Sequence, residues 1–187
     1  MIAFGIHMDS GRARRAANSS VIAAALGLGW GLKEFYSRAR FDDLLWVLAP
    51  TRWMVERLTG AAFELEAHRG YLDRDRLYTI IPPCAGVNFL IVVFCSLCCG
   101  LVHTRTSVRA RIELVVFSAV VAYATTILAN ATRIAIGMRL HEADVSVGPL
   151  TPDRLHCAGG VVVYFLFLLA IFSVAARITG ARRDIAF

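Results

Sequence analysis

Three residues with chemically capable side chains, Cys84, Arg133 and His156, each lie beside one end of a long apolar run. A cysteine thiolate is a nucleophile, histidine transfers protons near neutral pH, and arginine is a fixed cation with five hydrogen-bond donors. A cysteine and a histidine with a cation that stabilises an oxyanion are the parts of a thiol acyltransferase or protease. These residues therefore predict an active site assembled where apolar helices end, at a membrane surface.

Cys84 is distinguished by its position at the start of the second apolar run. It follows Pro82-Pro83, so Pro83 is predicted at the first position of a helix and Cys84 in its first turn. Unpaired backbone N–H groups at a helix start stabilise a thiolate. The alternative is that Cys84 only packs or forms a disulfide, and packing is what we expect for Cys95, Cys98 and Cys99.

Arg133 and His156 are each open to a simpler explanation as well. Arg133 lies about 21 residues into the third run, or about 32 Å along a helix, which puts it at a membrane boundary. There it either snorkels to the head groups or stabilises a thiolate or an oxyanion. Asn130, one turn earlier, shares its helical face and can orient Arg133 or a substrate. His156 is either a solvated boundary residue or the acid and base of a reaction.

The elements that must position these residues are predicted to be membrane helices. The chain has 187 residues, of which 57% are hydrophobic, and the apolar runs are too long for the helices of a soluble core. We predict an all-α integral membrane protein that forms a single polytopic domain over residues 1–187. Its four predicted spans are residues 16–32, 85–102, 112–138 and 157–176.

The first run is the shortest, and three arginines precede it, as in a signal peptide. It has no clean small-x-small cleavage site before a soluble domain, so an uncleaved span is the better interpretation.

The distribution of basic residues predicts the orientation of the spans. Arginines precede the first run, fill the short loop after the second run and follow the fourth run, which puts both termini in the cytoplasm. In residues 33–83 and 139–156 the basic residues are matched by acidic ones, so we assign these segments, and the active site, to the exterior face. The net charge of +6 is then a topology signal, and nucleic-acid binding is not expected.

The exterior segment 33–83 is long enough for structure of its own. Residues 41–58 have the pattern of an amphipathic helix that lies at the interface, with Trp46 and Trp53 in the head-group zone. If these residues crossed the membrane instead, Cys84 would change sides, but five charges make that costly. Residues Phe63–Glu66 and Leu77–Ile81, separated by Gly70, predict a short hairpin.

The chain resembles the exosortase/archaeosortase family, and most closely its short exosortase K type. The resemblance covers the chain from about Tyr71 to Phe172. It rests on three ordered motifs: Pro83-Cys84-Ala85-Gly86-Val87-Asn88-Phe89, Asn130-Ala131-Thr132-Arg133-Ile134, and His156 before a final apolar run.

Members of that family are membrane cysteine enzymes proposed to process proteins with a C-terminal sorting signal, which consists of a short motif such as Pro-Glu-Pro, a transmembrane helix and a basic cluster. The resemblance implies that Cys84 is the nucleophile, Arg133 the electrostatic stabiliser and His156 the proton-transfer residue, with His141 as the alternative base. Gly86 leaves room for a substrate or another backbone to approach closely, and Asn130, Gly86 and Asn88 are the predicted substrate-binding or orienting residues. No cofactor or metal is expected. Hydrolysis and transpeptidation differ only in the acceptor, so the sequence does not separate them.

Three other functions compete with this hypothesis. Cys95-Ser96-Leu97-Cys98 has the spacing of a thiol–disulfide oxidoreductase, but it lies near the middle of a predicted span, away from soluble partners. A non-enzymatic membrane subunit or transporter would leave the shared boundary of the three residues unexplained. A zinc site built from Cys84, His141 and His156 would lack a recognisable ligand spacing.

Overall fold

A computed structural model gives the fold of residues 3–75, 78–142 and 152–184, with side chains described over residues 11–75, 78–142 and 158–177. Most of the chain is helical. The five α-helices are α1 (Ala3–Arg38), α2 (Leu45–Thr59), α3 (Val87–Leu101), α4 (Val108–Glu142) and α5 (Pro152–Asp184). Short 3-10 turns lie at Asp42–Leu44, Pro82–Ala85 and Val102–Thr104.

Among the described residues, three helical segments are long and apolar enough to cross a membrane, which indicates a membrane protein. They are Pro82–Thr104, Val108–Glu142 and Ala158–Arg177, and they correspond to the second, third and fourth predicted spans. The first predicted span, residues 16–32, lies inside α1, which is not one of the three. The count of four spans therefore stays a prediction.

The described contacts divide the chain into two compact units. The first unit combines Met1–Ser37 with Leu90–Tyr123, so it contains most of α1, most of α3 and the first half of α4. In this unit α1 packs on α3: the Cys95 thiol donates to the Ala25 carbonyl at 3.5 Å. Elsewhere on α1 the large apolar side chains of Leu26, Leu28 and Trp30 are exposed.

The second unit combines Arg38–Phe89 with Ala124–Phe187 and contains α2, a small sheet, the end of α4 and α5. The predicted helix over residues 41–58 is confirmed as the turn Asp42–Leu44 followed by α2. Val47, Leu48 and Val55 form its buried face, whereas Trp46 and Trp53 are exposed. Interfacial placement stays a prediction. Within the fold, Arg52 donates to the Phe63 carbonyl at 3.3 Å, and Glu56 accepts from the Phe63 N–H at 3.0 Å.

The predicted hairpin was wrong in its pairing. Three strands form an antiparallel sheet in the order β1 (Glu64–Glu66), β2 (Gly70–Asp73) and β3 (Tyr78–Ile80), so β1 pairs with β2 rather than with β3. Gly70, which was expected to separate two strands, begins the middle strand because the chain reverses earlier, in a turn closed by the Arg69 N–H and the Glu66 carbonyl at 3.1 Å. The predicted two-stranded hairpin is thus a three-stranded sheet, and its last strand leads directly to Pro82.

Candidate active site

Cys84 lies in the 3-10 turn Pro82–Ala85 and not, as predicted, in the first turn of an α-helix. Its N–H donates to the Ile81 carbonyl at 2.7 Å, so it is not among the unpaired donors of a helix start. Gly86 follows with a φ of 69°, which separates the turn from α3, and α3 begins only at Val87. The unpaired N–H groups of an α-helix start, which were expected to stabilise a Cys84 thiolate, are therefore not provided by the backbone of Cys84 itself.

Gly86 is required by both its backbone and its surroundings. A φ of 69° is left-handed, and residues with a Cβ atom rarely adopt it. A Cβ atom at this position would also lie 3.2 to 3.3 Å from side-chain atoms of Thr126, Asn130 and Tyr164. The space that the sequence assigned to a substrate or another backbone is thus lined by side chains of α4 and α5.

Asn130 connects the candidate nucleophile to the candidate cation. Its side chain is completely buried, and its Nδ2 group donates to the carbonyl of Cys84. Its Oδ1 atom accepts from Nε of Arg133 at 3.2 Å and from the hydroxyl of Tyr164 at 2.9 Å. A guanidinium only donates, so the amide oxygen must face Arg133 and the amide nitrogen must face Cys84. One amide therefore links the Cys84 turn with α4 and α5.

Arg133 is held from three sides and keeps its charge unpaired among the described residues. Its guanidinium carbon lies 5.7 Å from the centre of the Tyr164 ring, which is within cation–π range. A Cβ atom on Gly160 would lie 3.0 Å from its Cδ atom, so the absence of a side chain there lets α5 approach. No described carboxylate lies within ion-pair distance of the guanidinium. The side chain is half-buried, so this cation is available to an anion at the site.

Tyr78 is a member of the site that the sequence did not reveal. Burial raises the pKa of Tyr78 to about 12, negative charge on the nearby Cys84 sulfur acts in the same direction, and the Arg133 guanidinium opposes them. The phenol is therefore neutral and able to donate a hydrogen bond over the physiological range. The only signal in the sequence was an aromatic residue in a strand that ends just before Pro82.

Tyr164 is a second aromatic residue that sequence reasoning missed. Its ring stacks on Phe89, with centroids 4.5 Å apart and planes at 14°, while its hydroxyl donates to Asn130. Phe89 belongs to the first motif, and Tyr164 lies two helical turns beyond His156 in α5. Asn88, the other polar residue of the first motif, is exposed in the first turn of α3.

The two candidate histidines belong to α4 and α5. Position 156 belongs to α5, one turn before Gly160, but the His156 side chain lies outside the described residues. His141 is exposed at the end of α4, about 12 Å along the helix from Arg133. The choice between them as the proton-transfer residue therefore stays open.

The remaining described cysteines lie inside α3, where Cys98 is buried and Cys95 and Cys99 are half-buried. All three, like Cys84, are free thiols. Over the part of the chain with described side chains, no three histidine, cysteine or acidic residues are grouped closely enough to hold a metal ion. The zinc alternative also involved His156, and so it lies partly outside these residues.

Comparisons with models of known protein families, with curated proteins and with solved structures found no match. The class of the protein therefore rests on its three long apolar helical segments, which indicate a membrane protein. Its candidate site joins a free thiol, a guanidinium and a neutral phenol.

Proposed function

We propose that this protein is a membrane-embedded cysteine peptidase or transpeptidase whose nucleophile is Cys84. The observation that carries the proposal is the buried Asn130 amide, which binds the Cys84 carbonyl and the Arg133 guanidinium at once. Because a thiol nucleophile needs a nearby group that stabilises the oxyanion of its tetrahedral intermediate, this link supports a shared role for the two residues.

In the proposed reaction the Cys84 thiolate attacks the carbonyl carbon of a substrate peptide bond. The carbonyl electrons move to oxygen, and the Arg133 guanidinium stabilises the resulting oxyanion. The carbon–nitrogen bond then breaks as His156, or His141 in its place, gives a proton to the leaving amine, which produces a thioester at Cys84. An amine, a hydroxyl or water attacks the thioester, gives up a proton to the histidine, and releases the Cys84 sulfur.

Two properties of the site support this chemistry. The Arg133 guanidinium has no described acidic partner, so its charge is not already neutralised when an oxyanion forms. The Tyr78 phenol, whose pKa is raised to about 12, remains a neutral donor beside the thiol and the guanidinium. Neither group requires a metal or a cofactor for the proposed steps.

The proposed substrates are membrane-anchored proteins with a C-terminal sorting signal of the Pro-Glu-Pro type, as the resemblance implies. Cys84 lies at one end of an apolar segment, Pro82–Thr104, where the hydrocarbon core would end. A substrate helix that docks beside this segment would present its flanking peptide bond at the same depth as Cys84. We place this end on the exterior face of the bacterial inner membrane, with both termini in the cytoplasm.

The decisive experiment co-expresses the protein with a reporter that ends in such a sorting signal and compares wild type with Cys84→Ser. The variant keeps the size of the side chain, but the serine hydroxyl is a far weaker nucleophile than a thiolate. We expect the reporter no longer to be processed. Processing is measured as the change in the mass of the reporter. Processing at the wild-type rate in Cys84→Ser would show that Cys84 is not the nucleophile.

The matched control replaces Cys95 and Cys98 together by alanine. These thiols lie within α3, and the peptidase hypothesis gives them no chemical role. We therefore expect the double variant to process the reporter as wild type does. Loss of processing in this variant, with retention in Cys84→Ser, would instead favour the oxidoreductase.

A further inference from the structure

The first unit contains a cluster of basic side chains, remote in sequence from the Cys84 motif, that the proposed peptidase does not use. Arg111 donates from Nε and Nη2 to Oδ1 of Asn18, at 3.2 and 3.1 Å. The Asn18 Nδ2 group in turn lies 3.3 Å from Nδ1 of His103, whose carbonyl accepts from Arg14 at 2.8 Å. We call these residues, together with Arg105 in the same turn, the Arg111 cluster.

The positive charge of the Arg111 cluster is not balanced within the described part of the chain. Arg111 is only 7% exposed, yet its side-chain partner is a neutral amide. The Nε atom of Arg105 is buried and has no hydrogen-bond partner among the described residues. The nearby acid in the sequence, Glu113, is already bonded to Arg109 at 2.9 Å. A buried guanidinium without a counter-charge is unfavourable, so this arrangement suits an external anion.

The position of the Arg111 cluster along the chain indicates which anion it would bind. Arg105 follows the apolar segment that ends at Thr104, and Arg111 lies in the first turn of α4, the next membrane-spanning segment. The boundary between these segments is the depth of the lipid head groups. Guanidinium groups bind phosphate oxygens through paired hydrogen bonds, and cationic side chains at this depth attract anionic lipids.

We propose that the Arg111 cluster is a binding site for the phosphate of an anionic phospholipid head group. Arg105 supplies the free donor, and Arg111, fixed by Asn18, supplies the charge. A bound phosphate satisfies the Arg105 Nε atom and neutralises the buried charge of Arg111, which stabilises the packing of α1 against the start of α4.

The proposal is tested by the thermal stability of the purified full-length protein in a neutral detergent. We expect a short-chain phosphatidylglycerol to raise Tm by about 3 °C relative to phosphatidylcholine with the same acyl chains, the size of shift that one charge-assisted interaction gives in a chain of this length. Inorganic phosphate at the same concentration is the third arm. An equal rise with inorganic phosphate would overturn a lipid site in favour of a free-phosphate site.

Two variants with the same loss of charge separate the site from general attraction. Arg105→Met removes both the charge and the unpartnered donor, and it should abolish the response to phosphatidylglycerol. Arg109→Met removes an arginine whose side chain is 88% exposed and already paired with Glu113, so it should keep the response. Equal Tm responses to the two lipids in the wild type, or equal losses in both variants, would overturn the proposal. This measurement does not depend on whether the protein is a peptidase.

Discussion

Asn130 sets the geometry of the candidate site at the scale of a single residue. It is the polar side chain that is completely buried between the Cys84 turn, Arg133 and Tyr164, and all of its described hydrogen bonds go to these partners. When a buried polar group loses its hydrogen-bond partner, the free-energy cost of removing that group from water is no longer compensated. The residue therefore couples the stability of this region to the position of the guanidinium.

We predict that Asn130→Ala lowers the free energy of unfolding by about 1–3 kcal/mol, because it leaves a carbonyl, a guanidinium N–H and a hydroxyl without their buried partner. It should also reduce reporter processing by at least about tenfold, since Arg133 is no longer fixed. Unfolding can be followed by thermal denaturation in detergent, and processing by the mass of the reporter.

Tyr164→Phe provides a graded comparison with Asn130→Ala. It keeps the stacking on Phe89 and the contact with the Arg133 guanidinium, but it removes the hydroxyl that donates to Asn130. We expect an effect between those of the wild type and Asn130→Ala. Wild-type stability and processing in Asn130→Ala would contradict the role that we assign to this amide.

At the scale of elements, α5 is positioned against α4 by a glycine. Gly159 and Gly160 are neighbours in α5, but they differ in their surroundings. A Cβ atom on Gly159 would meet nothing within 4 Å, whereas one on Gly160 would meet the Arg133 side chain at 3.0 Å. The close approach of α5 to Arg133 therefore falls on Gly160.

Gly160 and Gly159 provide a test variant and its matched control. Both Gly160→Ala and Gly159→Ala gain helix propensity, which contributes up to about 1 kcal/mol. Only Gly160→Ala must displace Arg133, so we expect reporter processing to fall by about threefold to tenfold in Gly160→Ala and to remain unchanged in Gly159→Ala. Similar processing rates in the two variants would show that the close approach of Gly160 does not position Arg133.

At the scale of the whole molecule, the number of membrane crossings decides which face carries Cys84. Over the described part of the chain, three helical segments are long and apolar enough to span, and α1 contains the predicted fourth crossing. An even number of crossings leaves both termini on one side, whereas three crossings put them on opposite sides.

We predict four crossings with both termini in the cytoplasm, because the basic residues before the first apolar run and after the last one resist translocation. Reporters that are active only outside the cytoplasm, fused to either terminus, should both be inactive, while a fluorescent cytoplasmic reporter should be active at both. Opposite locations of the two termini would show that α1 does not cross the membrane.

The membrane class and the approximate limits of the apolar helices followed from the sequence alone. Residues that span a bilayer must be apolar over about 20 consecutive positions, so this property is local and can be read from composition. The helix over residues 41–58 could be predicted for a related reason, since the helical period of its apolar residues is also a local property of the sequence. Local patterns likewise indicated Cys84, Asn130 and Arg133 as candidate residues.

Tertiary structure alone decided how these residues are joined. The hydrogen bond from Asn130 to Cys84 spans 46 positions of sequence, and that from Tyr164 to Asn130 spans 34. No short-range pattern encodes such pairs, so the neutral phenol of Tyr78 and the hydroxyl of Tyr164 were not foreseen. The order of the three strands and the 3-10 turn that carries Cys84 were missed as well, because strand pairing and the left-handed Gly86 depend on what packs beside them. Chemistry-bearing residue types are a property of the sequence, whereas their distances and partners are fixed only when the helices pack.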